Sequence, residues 1–164
     1  MAGRHPGTAT LLLEAGASAR SRLPNGYPLV FMATSMGDTN LLAHFEAHGA
    51  KLNEREPRFL SSLMHYAATS EMLQFLIGRG QSVNATNRLG ATPLHLAAGG
   101  GRLDLLQVLA TNGAKLTHLT ARGHTALDEA RYALARNPSS NAAAVVTWLE
   151  AFAATNPSPA KPLP

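Results

Sequence analysis

Residues 90 to 98 read Gly90-Ala91-Thr92-Pro93-Leu94-His95-Leu96-Ala97-Ala98, and this stretch decides the fold. Residues 123 to 130 repeat its Gly, Thr, Leu and Ala positions at an offset of 33 residues: Gly123-His124-Thr125-Ala126-Leu127-Asp128-Glu129-Ala130. The glycines that end apolar runs keep the same spacing, since Gly16 and Gly49 are also 33 residues apart. A fixed period of this length is the signature of a protein built from stacked repeats.

The residues inside the period resemble the ankyrin repeat. The carriers of the resemblance are Thr92-Pro93-Leu94-His95, the Leu96-Ala97-Ala98 that follows, the apolar run from Leu103 to Leu109, and Asn112-Gly113-Ala114. The resemblance extends over about residues 8 to 154. It implies an all-α fold, an ankyrin-repeat solenoid of helix-turn-helix pairs joined by β-turn finger loops. A solenoid buries the apolar face of each repeat against its neighbours.

The resemblance also implies a division of the chain. One ankyrin-repeat domain is expected over residues 1–155, followed by a disordered Pro-rich tail over residues 156–164. Within the domain we expect a partial N-terminal repeat at residues 5–22, repeats at 23–56, 57–86 and 87–119, and a C-terminal capping repeat at 120–155.

The third copy predicts local structure in detail. Thr92 should cap the first helix, and Pro93 suits the first helical position, where its missing N–H costs nothing. Leu106 lies on the apolar stripe of the second helix and should be buried. Gly113 follows that helix and suits the left-handed position after a helix end.

The other copies depart from this pattern in specific places. In the first copy Pro28 stands where Thr92 stands, so the side-chain cap should be lost, and Phe31 replaces His95. The second copy is three residues shorter between Ala68 and Glu71, which predicts a cramped connection or a first helix shorter by one turn. In the last copy Thr125 and Asp128 form a variant capping box. An insertion over residues 136–141 should separate its two helices, the second of which is expected at residues 142–153.

Composition excludes several classes of function. The chain has no cysteine, so disulfides and thiolate metal sites are ruled out. No apolar run has the length of a membrane span. Frequent Ala, Arg and Gly suggest a small bacterial protein. The compartment stays open between cytoplasm and periplasm, and a removed signal peptide is compatible with a chain that opens part-way through a repeat.

The sequence offers no catalytic constellation, and we predict no enzyme, no cofactor and no metal site. His44 and His48 stand four residues apart, as metal ligands on a helix do, but no third ligand is close in the sequence. Packing and a favourable charge at the helix C-terminus explain the pair better. His65 and His95 fill the position whose imidazole, in the family that the sequence resembles, ties adjacent loops together.

The finger loops carry most of the basic residues. The net charge is +4, and arginines recur in the predicted fingers at Arg20, Arg22, Arg55, Arg58, Arg88 and Arg122, with Glu54 and Glu56 partly offsetting the second finger. We expect these arginines to form a column along one edge. A column of this kind is either a solvated basic edge or a strip that steers an acidic partner. Nucleic acid is disfavoured because stacking aromatic residues are few.

The resemblance implies partner binding through finger tips and the concave face of the first helices. The predicted contact residues are Tyr27, Met36, Arg58, Phe59, Arg88, Leu89, Arg122, His124, Arg131 and Tyr132. The leading hypothesis is therefore a non-catalytic protein–protein interaction module, monomeric when unbound, for an acidic partner surface. The alternative is an immunity or inhibitor protein that blocks a cognate bacterial enzyme or toxin.

Overall fold

The computed structural model describes residue 16 and residues 18–155. The chain divides into two compact units between Gln81 and Ser82. The described residues form α-helices and short loops, with one isolated bridge between Arg22 and Pro28, so the predicted all-α class is confirmed. Most of the predicted partial repeat at 5–22 and the whole predicted tail at 156–164 lie outside the described residues.

Unit 1 contains helices α1 (Leu29–Met36), α2 (Thr39–Ala47), α3 (Leu63–Tyr66) and α4 (Ser70–Gly78). Helix α1 packs against α2 and α3, and α4 packs against α2 and α3. The side chains at the centre of this unit are fully or almost fully buried: Val30, Leu42, Phe45, Leu63, Met72, Leu73 and Leu76.

The helix starts of unit 1 follow the sequence. Pro28 precedes α1 and supplies no side-chain cap, as predicted. Asp38 caps α2, since its Oδ1 accepts the N–H of Leu41 at 2.9 Å, and Thr69 caps α4 in the same way through Met72. Helix α3 has only four residues, which confirms the shortened first helix of this copy.

Unit 2 contains helices α5 (Pro93–Gly99), α6 (Leu103–Thr111), α7 (Ala126–Arg136) and α8 (Ser140–Thr155). Helix α5 packs against α6, α7 and α8, and α8 also packs against α6 and α7. Leu106 is completely buried in this unit, as the periodicity predicted, and Gly113 follows α6 with a φ of +84°. None of the helices in the described part of the chain combines the length and the apolar character that a membrane span needs.

Half of the predicted insertion over residues 136–141 is helical. Helix α7 extends to Arg136 and has 11 residues, against seven for α5. Helix α8 begins at Ser140, two residues earlier than predicted. The connection is therefore only the three residues between Arg136 and Ser140, because the extra sequence prolongs both helices.

Candidate functional site

Three finger loops contain the same tight turn. Each turn has a glycine with positive φ just before its end, and two backbone hydrogen bonds of 2.8 to 3.0 Å close it, one of them donated by that glycine to the first residue of the turn. The other bonds run from Leu23 N–H to the Tyr27 carbonyl, from Asn87 N–H to the Ala91 carbonyl and from Thr120 N–H to the His124 carbonyl, and the glycines are Gly26, Gly90 and Gly123.

Two of these loops are joined directly in unit 2. The backbone N–H of Ala121 donates to the carbonyl of Leu89 at 2.9 Å. Gly90 has a φ of +70°, and a Cβ at this position would lie 3.0 Å from the nitrogen of Ala121. Glycine is thus required both by the backbone conformation and by the close approach of the next loop.

The finger loop of unit 1 that contains Arg58 is built around a buried carboxylate. Glu56 has no exposed surface, and its two oxygens accept the backbone N–H groups of Arg58, Phe59 and Ser61 at 2.7, 2.6 and 3.2 Å. Burial by itself raises the pKa of the Glu56 carboxyl, but these donors and the Tyr27 hydroxyl hold it below the ordinary value. Glu56 is therefore a structural anion that orders the loop through its backbone donors.

Leu60 adopts a left-handed conformation at the end of the same loop. Its φ is +55°, while the corresponding turns in the other fingers place glycine at the left-handed position. A branched side chain in this region costs about 1 kcal/mol or more. The Leu60 side chain is nevertheless 45% exposed, so it gains little from burial in return.

Tyr27, one of the predicted contact residues, is half-buried in an aromatic cluster. Its ring packs edge-on against Phe31 and Tyr66, with ring centroids 6.2 and 6.3 Å apart, and Phe31 packs on Tyr66 at 5.2 Å. Burial raises the pKa of the Tyr66 hydroxyl, helped by the contact with Tyr27. The cluster occupies the place that a histidine holds in the third copy, because Phe31 replaces His95 and has no hydrogen bonds to offer.

His95 links its own helix start to the next finger loop in unit 2. Its Nδ1 accepts the N–H of Thr92 at 3.2 Å and faces the Thr92 hydroxyl at 2.8 Å. Its Nε2–H lies 3.1 Å from the carbonyls of both His118 and His124. The ring is therefore the neutral Nε2–H tautomer, and burial lowers the pKa of its imidazole. The predicted cap at Thr92 and the loop-tying role of His95 are both present.

A cavity of about 290 Å³ opens next to these joined loops. Its apolar walls include Leu89 and Leu96, which are 52% and 43% exposed, together with Ala91 and Ala121. Arg122 and Glu129 bring charge to its lining. We call it the finger cavity. Leu96 was not predicted as a site residue from the sequence, because a leucine in an apolar helix is expected to be buried in the core.

A second cavity of about 360 Å³ continues from the first along α7. The two share Gly99 and Glu129 and together form the α5–α7 groove. The α7 side chains that line it stand at positions i, i+3, i+4 and i+7 and so share one helix face. They are Glu129, Tyr132, Ala133 and Arg136. Helical spacing was the signal that could have found Glu129 and Arg136 from the sequence.

Arg131 lies outside this stripe. Its guanidinium forms an ion pair with Glu150 of α8 at 2.6 Å. Arg131 stays a predicted contact residue, but in the free chain its charge is shared with Glu150. Tyr132, by contrast, is exposed in the groove, with the Arg136 guanidinium 5.7 Å from its ring centroid.

Seven of the ten arginines of the described residues fall into two groups. One group is held by carboxylates, in the pairs Arg22–Glu54, Arg79–Glu46, Arg102–Asp104 and Arg131–Glu150. The other comprises the finger arginines Arg58, Arg88 and Arg122, which are exposed and form no ion pair with a carboxylate of the described residues. The Arg58 guanidinium lies 5.0 Å from the ring centroid of Phe59. Of the other three arginines, Arg20 and Arg55 donate to the carbonyls of Gly49 and Leu60, and Arg136 lies beside the Tyr132 ring.

His124 contributes to the finger as well as to the groove. Its carbonyl accepts from His95, and its Nδ1–H donates to Glu129 Oε1 at 3.1 Å. Met36, another predicted contact residue, lies at the end of α1 in unit 1 and is highly exposed. Neither residue belongs to a set of groups that could carry out catalysis.

The rings of His44 and His48 are in contact, with centroids 4.6 Å apart and planes tilted by 38°. His48 Nδ1 lies 2.9 Å from the His44 carbonyl and donates to it, which ties the ring to the helix end. His44 Nε2 is buried and has no hydrogen-bond partner among the described residues. No group of three or more His, Cys, Asp or Glu side chains that could hold a metal ion occurs in the part of the chain that the structure describes.

The chain belongs to the ankyrin-repeat family, because the family model for ankyrin repeats in three copies matches residues 63–149. Among curated proteins it is similar to ankyrin repeat domain-containing protein 37 of Homo sapiens, with 34% identity over 90 residues, 53% of this chain and 57% of that protein. It is also similar to the 85/88 kDa calcium-independent phospholipase A2 of Rattus norvegicus and of Mus musculus, with 29% identity over 101 residues in each case.

The chain spans 12% of the length of either phospholipase, although the match takes 60% of this chain. The match therefore transfers no activity. These relatives are mammalian proteins, so they lend no support to a bacterial source or to an immunity role. Ankyrin repeats are protein-interaction modules, and the family thus supports a protein partner.

Proposed function

We propose that the chain is a non-catalytic binding module whose basic finger loops and concave face contact an acidic surface on a partner protein. The observation that carries this proposal is the state of three finger arginines. Arg58, Arg88 and Arg122 are exposed and have no carboxylate partner among the described residues, whereas four other arginines are paired. Exposed cations without internal partners attract acidic surfaces and speed association.

Apolar side chains beside these arginines support the same function. In unit 1 Arg58 is adjacent to Phe59 and near the exposed Leu60, and in unit 2 Arg88 is adjacent to the exposed Leu89. Interfaces combine apolar anchors that supply affinity with charges around them that guide encounter. The finger loops are also well ordered internally, through Glu56 in unit 1 and Asn87 in unit 2, so binding loses little loop entropy.

Affinity capture from the source cell tests the proposal. The baits are the wild-type chain, the double variant Arg88→Glu/Arg122→Glu, and the single variant Lys115→Glu. Lys115 is an exposed residue of unit 2 outside the fingers, so its variant shows whether the captured protein responds only to overall charge. We expect a protein with an acidic surface that the wild type and Lys115→Glu retain and the double variant loses. Equal capture by all three baits contradicts the proposal.

The proposal treats the unbound chain as a monomer. Size-exclusion chromatography with light scattering checks this directly against the mass of 17.3 kDa. A mass twice that value would contradict the monomer.

A further inference from the structure

We propose that the α5–α7 groove binds an extended segment of the partner, with one large apolar side chain in the finger cavity and acidic residues on either side of an uncharged position. This inference rests on the proposed function and names the kind of partner that the groove of unit 2 fits. Every group that it uses belongs to that unit.

The shape of the groove favours an extended chain over a convex protein surface. The two cavities share Gly99 and Glu129 and so form one continuous trough. Glu129 and Arg136 are seven residues apart on α7, which is about 10 Å along the helix axis. An extended segment covers that distance with about three residues. With the finger cavity added, a segment of about five residues fills the groove.

The residues at the floor of the trough have little or no side chain, so the backbone of a partner segment can lie close to the helices. Gly99 has no side chain, and Ala133 opposes it from α7. A Cβ placed on Gly99 would meet only the Cβ of Glu129, at 4.0 Å, which is an ordinary contact. A side chain at residue 99 would therefore project into the trough without disturbing the packing of α5.

The finger cavity suits an apolar side chain. Leu89, Ala91, Leu96 and Ala121 supply its walls, and both leucines are largely open to solvent. Its volume of about 290 Å³ lies at the lower end of the range for ligand pockets, so it fits one large side chain better than a cofactor. Covering Leu89 and Leu96 with a partner side chain removes apolar surface from water.

Charge along the groove alternates and gives the segment its acidic pattern. Arg122 stands at the finger end and Arg136 at the other end, and neither forms an ion pair with a described carboxylate. Glu129 lies between them and already accepts from His124 Nδ1–H. A partner acid opposite Glu129 would be repelled, whereas acids opposite Arg122 and Arg136 would be attracted. The matching partner segment therefore has an acidic residue opposite Arg122, an uncharged residue opposite Glu129 and a second acidic residue opposite Arg136.

A displayed library of random linear 12-residue peptides, selected on the immobilised full chain, tests the inference. We expect enriched peptides in which a large apolar residue is flanked by Asp or Glu. Their affinity should fall about tenfold or more with Gly99→Leu, which fills the trough. Arg122→Glu and Arg136→Glu should each lower the affinity of the enriched peptides. Each variant should also remove the preference for an acidic residue at the peptide position that faces the substituted arginine. Lys115→Glu, which makes the same charge change away from the groove, should bind as the wild type does.

Circular dichroism and thermal melting verify that Gly99→Leu folds. Leu96→Ser serves as the second blocking variant, because it replaces an exposed apolar residue in the wall of the finger cavity. The inference is overturned if no peptide is enriched, or if the enriched peptides bind both blocking variants as tightly as the wild type. A captured partner that depends on Arg88 and Arg122 but ignores Gly99→Leu would keep the proposed function and reject the linear segment. A captured protein indifferent to the finger arginines would reject the proposed function itself.

Discussion

The backbone N–H of Ala121 donates to the carbonyl of Leu89 at 2.9 Å and joins two neighbouring finger loops of unit 2. The bond holds the backbone of Leu89 while its side chain stays 52% exposed beside the finger cavity. Gly90 makes the approach possible, since any Cβ there would crowd Ala121. An apolar anchor on a fixed loop has little freedom left to lose on binding, which favours affinity.

The core of unit 2 should depend strongly on Leu106. This side chain has no exposed surface, so Leu106→Ala should lower the free energy of unfolding by about 2–5 kcal/mol. Urea denaturation followed by circular dichroism measures the change. Leu119→Ala is the matched control, because Leu119 belongs to the same unit and is largely exposed. A loss of less than about 0.5 kcal/mol for Leu106→Ala would show that α6 does not present this face to the core.

Leu60 should be replaceable by glycine without loss of stability. Leu60→Gly removes the left-handed strain of a residue with φ +55°, and the free energy of unfolding should stay constant or rise by up to about 1 kcal/mol. Leu60→Ala removes the same side chain and keeps the strain, so it should be the less stable of the two. If Leu60→Gly loses more than about 1 kcal/mol, the exposed side chain holds the loop in place.

Glu56 should stabilise the finger loop of unit 1 through its charge. Glu56→Gln keeps the shape but weakens the bonds to three backbone N–H groups, which should cost about 1–3 kcal/mol at neutral pH. The pKa of Glu56 lies below its ordinary value of 4.5, so this contribution is complete above that pH and is lost as the pH falls through the folded-state pKa.

Glu54→Gln provides the control for that measurement, since Glu54 forms a partly exposed ion pair with Arg22 and should contribute about 1 kcal/mol or less. Chemical denaturation at a series of pH values measures the free energy of unfolding of the wild type, Glu56→Gln and Glu54→Gln. Equal losses for the two variants at neutral pH would argue against a structural role for the buried carboxylate.

His95 should make unit 2 sensitive to mild acid. Burial lowers the pKa of its imidazole below the ordinary value of 6.5, and its Nδ1 is needed as an acceptor for Thr92 N–H. The unfolded chain therefore binds the proton first, and stability is complete above about pH 6.5 and falls as the pH drops toward the folded-state pKa. Thermal melting between neutral pH and pH 5 measures the loss. The His95→Gln variant should have a lower melting temperature than the wild type at neutral pH, and its melting temperature should change less over this range. Melting temperatures that fall in parallel for the two proteins would contradict the assignment.

Local patterns in the sequence predicted the parts of the structure that neighbouring residues determine. The cap at Thr92, the left-handed Gly113, the buried Leu106 and the short α3 all follow from spacing within one repeat. Contacts between residues brought together only by folding were harder to predict from the sequence. The burial of Glu56 was not predicted, because its three donors come together only in the folded loop. The ion pair of Arg131 was not predicted, because its partner Glu150 is 19 residues away on α8.

The candidate site was predicted only in part for the same reason. Leu89, Arg122 and Tyr132 were identified from finger and helix positions, and they do line the groove. Leu96 was missed, because only the packing of α5 on α7 shows which leucine is left uncovered.

The salt dependence of the association rate tests the central claim most directly. Surface plasmon resonance with the captured partner, at low and at high salt, compares the wild type with Arg88→Glu, Arg122→Glu and the control Lys115→Glu. If the unpaired finger arginines steer an acidic partner, both finger variants associate more slowly and lose most of the salt dependence, while the control keeps the wild-type rate and slope. Association rates and slopes that are the same for all four proteins would contradict binding through basic finger loops.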